Sequence, residues 1–284
     1  MTTEVLRACL MGHRIGYSRS PRLHGYWLRS LGLAGAYELA DVPPEDFAAF
    51  CRDLRGRGFV GGNVTKPHKE AAFRLVDRRD AAAEAIGAVN TVWYENGALI
   101  GGNTDAPGFL ASLDDGAPGW DRGDGLAVIL GAGGAARALV HALLCRGLAV
   151  AVVNRTRGRA DDLASHFGSR VRAHGPEELA SLMRRAQLLT NATALGGQGQ
   201  PPLDLDLAPL NDAAVVCDIG NYVPLDTALL RAARARGLRT VDGLGMLMHQ
   251  AVPAFARWFG VTPQVTTELR ALLTADIAAT IRAA

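Results

Sequence analysis

An α/β fold in two domains is what this sequence predicts, on three observations. Segments of strand character alternate with segments of helical period along the chain, the pattern of a mainly parallel sheet covered by helices. A glycine-rich junction at 131–136 lies between one such strand and one such helix. A length of 284 residues, 49% hydrophobic and 20% charged, also suffices for two modest domains with real cores, or for one large one.

In the first third, strands are expected near 5–11, 36–42, 59–64 and 88–94, with helices near 21–31, 45–56 and 67–77. Asn96-Gly97 predicts a tight hairpin turn within 95–103, followed by the hairpin's second strand. After a helix over 105–114 comes DDGAPGWDRGDG, whose Gly, Asp and Pro content makes it the best linker candidate. From Leu126 the alternation becomes regular: strand 126–130, helix 134–146, strand 149–154, helix 157–167, then further units through a strand at 239–242. Segments 244–259 and 265–282 are helical in period, with Pro253 and Pro263 marking bends or starts.

Composition excludes several classes of function. The net charge is +2 and no basic run interleaves with aromatics, so no nucleic-acid partner is expected. Apolar stretches such as 138–153 are broken by His141, Arg146 and Gly147, so no membrane span is expected either. The N-terminus reads as a first strand and not as a signal peptide. Cys9, Cys51, Cys145 and Cys217 lie far apart without metal or redox spacing, which predicts buried free thiols in a reducing cytoplasm. No histidine pair has ligand spacing, and no protein-held metal is expected.

The basic residues are distributed unevenly. Of 30, 28 are arginine, and the only lysines, Lys66 and Lys69, share one short motif. Codon bias accounts for arginine on the surface but not for where lysine stayed. A guanidinium keeps its proton in proteins, whereas an amine can give one up and take it back.

The segment LAVILGAGGAARALVHALL places Gly131-x-Gly133-x-x-Ala136 between strand and helix, as a dinucleotide pyrophosphate on a helix N-terminus requires. The next strand ends in Asn154-Arg155-Thr156, followed by Arg157 and Arg159. A carboxylate there would bind the ribose 2′-hydroxyl of NAD. A neutral amide among guanidinium groups favours the 2′-phosphate of NADP. Arginine is unfavourable at the positive end of a helix dipole, which is a further sign of an anion.

Three more clusters carry small polar groups: GHRIGYSRSPRLH (12–24), GGNVTKPHKEAAF (61–73) and IGAVNT…GGNTDAPGF (86–109). Their hydroxyls (Ser18, Ser20, Thr65), amides (Asn63, Asn90), amine (Lys69) and carboxylate (Asp105) suit a small polyhydroxylated substrate and one proton transfer. Read singly, Ser18 or Ser20 could cap the helix at Pro21, Asn90 could close a strand, and Asp105 could cap the helix over 105–114.

Taken in order, SRSP, NVTxPHK, GAVNT, NTD, GAGGAAR, NRT and DGLGMLMHQA resemble the shikimate dehydrogenase family, nearly end to end. The resemblance implies an N-terminal α/β substrate domain of residues 1–105 with 244–284. It implies a Rossmann-type NADP-binding domain of residues 106–243, with a cleft between the two. It further implies reversible NADP-dependent reduction of 3-dehydroshikimate to shikimate, in chorismate and aromatic amino-acid biosynthesis. Ser18 and Ser20 would bind the substrate carboxylate, while Asn63, Thr65, Asn90, Tyr222 and Gln250 would hold the ring and its hydroxyls. Lys69 and Asp105 would manage the proton on the C3 oxygen. Gly131, Ala132, Gly133, Gly134 and Ala135 would cradle the pyrophosphate, with Asn154, Arg155, Thr156 and Arg159 around the adenosine phosphate. Ile219 and Gly243 would lie at the nicotinamide. The chain departs from the family in Lys66, where an apolar residue is usual, in Ala106, where Gly is usual, and in a loop at 218–224 one residue longer. A relative acting on quinate or an amino-shikimate, and a catalytically silent nucleotide-binding regulator, are the competing expectations. Monomer and homodimer are both compatible.

Overall fold

Two six-stranded sheets organise the chain in the computed structural model, which describes residues 5–123, 125–220 and 222–283. Contacts divide it into two compact units, Met1–Asp105 with Gln250–Leu273, and Ala106–His249 with Thr274–Ala284.

In the first unit the order of elements is β1 (Leu6–Gly12), α1 (Ser20–Ser30), β2 (Gly35–Asp41), α2 (Phe47–Arg52), β3 (Gly61–Val64), α3 (Lys69–Leu75), β4 (Arg78–Arg79), α4 (Ala81–Ile86), β5 (Thr91–Glu95) and β6 (Ala98–Gly102). The sheet runs β2-β1-β3-β5-β6-β4. Parallel pairing joins β1 to β2 and β3, whereas β3–β5 and β5–β6 are antiparallel, so this sheet is mixed where a mainly parallel one was expected. The cause is the hairpin: Asn96 (φ 51°) and Gly97 (φ 84°) both take left-handed backbone, the two-residue turn that reverses β5 into β6. The helix expected over 45–56 is only Phe47–Arg52, and β4 and α4 escaped the sequence reading. The latter is a short alanine-rich turn made stable by its ends. Asp80 accepts the Ala83 N–H at 2.7 Å, and Gly87 closes the helix in left-handed conformation.

One face of this sheet packs Cys9, Met11, Phe47, Leu54, Val64, Val89 and Val92 into a core. An aromatic group forms elsewhere in the unit, where His24 and Trp27 of α1 meet Tyr37, Phe255 and Trp258. Trp258 Nε1 donates to Val92 O at 2.9 Å. A Cβ on Gly61 would fall 2.3 Å from that nitrogen, so only glycine lets the indole approach the sheet.

The second unit continues with α5 (Asp105–Gly116), β7 (Leu126–Leu130), α6 (Gly134–Cys145), β8 (Ala149–Val153), α7 (Arg157–Phe167), β9 (Val171–His174), α8 (Leu179–Met183), β10 (Ala186–Asn191), β11 (Val215–Asp218), α9 (Ala228–Ala235) and β12 (Arg239–Asp242). The helices α10 (Gly243–Phe259) and α11 (Thr267–Ala283) follow. Its sheet is wholly parallel in the order β12-β11-β10-β7-β8-β9. Strand order reverses between β7 and β10, the position where doubly wound sheets bind ligands at their carboxyl ends.

Two expectations, on the linker and on Cys145, are corrected here. The segment 114–125 is no free linker: Ala117 and Trp120 are buried, Arg239 donates to Pro118 O at 3.0 Å and Arg146 to Asp121 at 2.5 Å, bonds that tie the segment to the second unit. Asp124, within it, lies outside the described residues. Pro253 lies inside α10, which runs from Gly243 to Phe259 over the segment expected to be helical. Cys145, on the last turn of α6, is exposed, while Cys9, Cys51 and Cys217 are buried. Among the described residues no helix is long and apolar enough to cross a membrane.

Candidate active site

Polar side chains of the first unit converge where strands end and helices begin. β3 stops at Val64, four residues turn, and Lys69 opens α3. An ammonium is disfavoured at the positive end of a helix, so a nearby anion is called for. Asp105, the first residue of α5, supplies it: Lys69 Nζ donates to Asp105 Oδ2, with the two side chains only 15% and 7% exposed. Asp105 Oδ1 accepts from Asn90 Nδ2 at 2.8 Å. Both carboxylate oxygens are thus engaged by side chains, which leaves the helix-capping reading of Asp105 without support.

Asn90 is held on both sides of its amide. Its Oδ1 accepts from the Thr104 N–H at 2.8 Å and from Thr91 Oγ1 at 2.9 Å, and its Nδ2 also donates to Thr104 Oγ1 at 3.0 Å. Asn63 is buried beside it and donates to Thr91 Oγ1 (3.0 Å) and Asn90 O (3.2 Å). The loop between β3 and α3 is pinned by His68, stacked on Phe47 at 4.2 Å, whose Nε2 donates to Val42 O at 2.8 Å. Burial holds that imidazole below its ordinary range, hence neutral. Ser18 Oγ donates to Ser20 Oγ and accepts the Ser20 N–H, each at 3.2 Å, so it does serve the first turn of α1 as well.

The glycine loop of the second unit fits a dinucleotide. Gly131 has φ +105°, and a Cβ there would lie 3.0 Å from Thr193 Cγ2, so only glycine makes this turn. Beside Gly133 a Cβ would meet nothing within 4 Å, which leaves room against the backbone at the start of α6. The third position, Ala136, is fully buried where the helix packs on the sheet. At the end of β8, Asn154 Nδ2 donates to Thr156 O at 2.8 Å and shapes the turn into α7. Arg157 is committed to Glu178 and Ala173 O, whereas Arg155 and Arg159 are exposed and enter no ion pair among the described residues.

The structure brings Lys69, Asp105, Asn90 and Asn63 into one hydrogen-bonded group. Thr65 is half-buried in the loop after β3, and Gln250, also half-buried, belongs to the same unit on α10. Tyr222 is half-buried in the second unit, and its neighbour Asn221 lies outside the described residues. The Ile219 N–H donates to Asn191 O at 3.0 Å. Gly243 is buried at the start of α10, which Asp242 caps through the Leu244 N–H at 3.1 Å.

The sequence reading missed Thr91 and Thr104, although each adjoins a chosen residue in the motifs NT and NTD. It also missed Asn191, whose side chain bonds Thr193, Leu195 O and Asp218. Neither did it single out Tyr37, which donates to Asn63 Oδ1 at 2.7 Å.

A doubly wound sheet with this glycine turn, in a chain that also buries an amine against a carboxylate, is the equipment of a nucleotide-dependent α/β oxidoreductase. Comparison with known proteins narrows that class. Residues 10–92 match the shikimate dehydrogenase substrate binding domain, 122–198 the shikimate / quinate 5-dehydrogenase family and 243–273 the shikimate 5′-dehydrogenase C-terminal domain. The chain belongs to the shikimate dehydrogenase family. It is 57% identical to the shikimate dehydrogenase (NADP(+)) of Methylocella silvestris, covering 98% of this chain and 99% of that one. Among solved structures, shikimate 5-dehydrogenase from Thermus thermophilus in complex with NADP(H) and shikimate superposes with a TM-score of 0.82 at 42% identity, covering 92% and 95%. Quinate dehydrogenase from Corynebacterium glutamicum in complex with NAD superposes at 0.87 and 30% identity, covering 96% and 100%.

Proposed function

We propose that this chain is an NADP-dependent dehydrogenase that reversibly reduces 3-dehydroshikimate to shikimate, a step toward chorismate and the aromatic amino acids. The observation that carries the reading is the buried Lys69–Asp105 pair, bonded to Asn90, in a chain of this family. We assign substrate binding to residues 1–105 with 244–284 and NADP binding to 106–243. Free thiols, low net charge and the absence of a basic run support a cytoplasmic enzyme without a nucleic-acid partner, acting as monomer or homodimer.

When bound, NADP supplies or takes the hydride. In the reductive direction Lys69, as ammonium, gives a proton to the oxygen developing charge at C3; in the oxidative direction its amine takes that proton back. Asp105 orients the amine and stabilises its charged form, and it holds a ring hydroxyl. Asn90, Asn63, Thr65, Gln250 and Tyr222 position the ring. Ser18 and Ser20 donate to the carboxylate as neutral hydroxyls. Gly131 to Ala135 receive the pyrophosphate, Asn154, Arg155, Thr156 and Arg159 the adenosine phosphate, and Ile219 and Gly243 lie at the nicotinamide. General acid–base help of this kind is worth about 10²–10⁴-fold.

The test is a steady-state panel of shikimate and quinate with NADP⁺ and NAD⁺, read by absorbance of the reduced cofactor. Shikimate with NADP⁺ should give the highest kcat/KM, by about tenfold or more over each other pairing. Turnover of quinate with NAD⁺ above that of shikimate with NADP⁺ overturns the assignment. An absence of turnover in every pairing points to the silent regulator.

A further inference from the structure

Asn191, the last residue of β10, has no part in the roles given above, yet it lies between two loops that do. β10 runs between β7 and β11 in the second sheet, with Asn191 opposite Leu130 on one side and Asp218 on the other. The three strands are parallel, so the chain leaves all of them at the same end of the sheet. It leaves β7 into Gly131, assigned to the pyrophosphate, and β11 into Ile219, assigned to the nicotinamide. Asn191, at the end of the strand between them, is fully buried.

The side-chain amide of Asn191 uses both of its donors and both of its acceptor positions. Its Oδ1 accepts from the Thr193 N–H (3.0 Å) and from Thr193 Oγ1 (2.7 Å). Its Nδ2 donates to Asp218 Oδ1 (3.0 Å) and to Leu195 O (3.1 Å). A flipped amide would set its NH2 against the Thr193 N–H and its oxygen against Leu195 O, so only one orientation fits. The main-chain oxygen of Asn191 accepts the N–H groups of both Ile219 and Gly220, at 3.0 Å each. Thr193, held by the amide, is a wedge between the two loops. A Cβ on Gly131 would lie 3.0 Å from its methyl group, and a Cβ on Gly220 would run into its carbonyl oxygen. Its hydroxyl also accepts the Leu195 N–H at 3.2 Å. What Asn191 fixes is therefore backbone, on both sides of β10.

We propose that Asn191 is a positioning residue for the cofactor: through Thr193 and the Ile219 and Gly220 amides it sets the spacing between the pyrophosphate turn and the nicotinamide loop. The inference rests on the function proposed above. A dinucleotide has a fixed covalent length, so a shift of ~1 Å between the two loops weakens binding of the whole ligand and misplaces its reactive ring. A fragment that ends before the nicotinamide does not feel that shift.

Thr193→Val keeps a methyl toward Gly131 and deletes the hydroxyl that reaches Asn191, whereas Thr193→Ser keeps the hydroxyl and deletes the methyl. Both should be compared with Asn191→Ala and the wild type. The measurements are calorimetric Kd values for NADP⁺ and for adenosine 2′,5′-bisphosphate, and kcat and KM with shikimate, all well below each variant's melting temperature. Thr193→Val should raise the NADP⁺ Kd about tenfold, the size of one such hydrogen bond, and lower kcat. The bisphosphate Kd and the shikimate KM should not move. Thr193→Ser should stay close to wild type, and Asn191→Ala should exceed Thr193→Val with the same selectivity. An unchanged NADP⁺ Kd in Thr193→Val, or a greater loss in Thr193→Ser, overturns the proposal. So does equal weakening of NADP⁺ and the bisphosphate, the signature of a scaffold. Should Asn191→Ala not fold, the two Thr193 variants decide alone. Wild-type NADP⁺ binding and rate are measured first, so a failure of the functional reading appears there and a failure of this inference only in the variants.

Discussion

Under the function proposed above, the two units would meet small polar ligands with opposite devices. In the first, the groups assigned to substrate are side chains that hold one another: Asp105, Asn90, Thr91 and Asn63 are all buried and all bonded in series. In the second, the groups assigned to the pyrophosphate are backbone at Gly131 and Gly133, and the side chains assigned to the adenosine phosphate, Arg155, Thr156 and Arg159, are exposed. The difference follows from the ligands. A ring with several hydroxyls needs donors and acceptors fixed in three dimensions, and only a satisfied network fixes them in a buried place. A phosphate accepts donors from many directions, so amides and solvated cations suffice. Damage should therefore spread through the first site and stay local in the second.

The largest effect is expected at the proton-transfer pair. Lys69→Arg keeps the charge but removes a group able to release its proton, so kcat should fall at least about 10²-fold while the KM values move far less. Near-normal kcat would take Lys69 out of the acid–base role. Asp105→Asn should also cost orders of magnitude, because an amide there must turn its NH2 toward either the Asn90 amide or the Lys69 ammonium and can keep only one bond. The double variant should be no worse than the poorer single one. Additive losses would dissolve the idea of a single network.

The second site provides the contrast. Asn154→Asp and Arg155→Ala should each raise the KM for NADP by about tenfold, with their effects adding, while shikimate KM and NAD usage stay level. Equal damage to both cofactors would mean that these residues hold the turn and do not read the phosphate. Asn154 is the one to watch, since its amide also bonds Thr156 O.

A smaller effect concerns stability. His24 is fully buried, neither ring nitrogen has a hydrogen-bond partner among the described residues, and burial pushes it down to about 3. The unfolded chain takes up this proton below about pH 6.5, and the folded one does not until far lower. The neutral ring's contribution is thus intact above about pH 6.5 and shrinks as pH falls toward 3. The loss between about pH 7 and pH 5 is about 2 kcal/mol. Melting curves across that interval should be flatter for His24→Phe, whatever its offset, and parallel slopes would acquit His24.

Legibility in the sequence tracked how narrowly chemistry restricts residue type. Gly131 could be read because no other residue takes its backbone, and Lys69 because arginine had replaced lysine everywhere else but at its neighbour Lys66. Tyr37 could not be read. Tyrosine is an ordinary strand residue, and the partner that gives it meaning, Asn63, is 26 positions away. The mixed sheet was hidden for a similar reason: Asn96-Gly97 announced a hairpin, but only pairing across space shows that its strands join β3 in antiparallel fashion. The helix α4 was decided by its local caps, Asp80 and Gly87, and not by a periodic pattern, which six residues are too few to show.

The placement of the two lysines has a practical side. Lys66 is exposed, with its ammonium 5.2 Å from the centre of the Tyr17 ring, and Lys69 is tucked against Asp105 three residues on. Apart from the chain's own α-amine, an acylating reagent therefore finds its targets only in this loop. Random coupling through amines, routine for fluorescent dyes or solid supports, becomes for this protein a directed modification at the proposed active site. Shikimate in the reaction mixture should shield Lys69 and leave Lys66 to the reagent, so a substrate-protected preparation carries its label on one defined side chain plus the N-terminus.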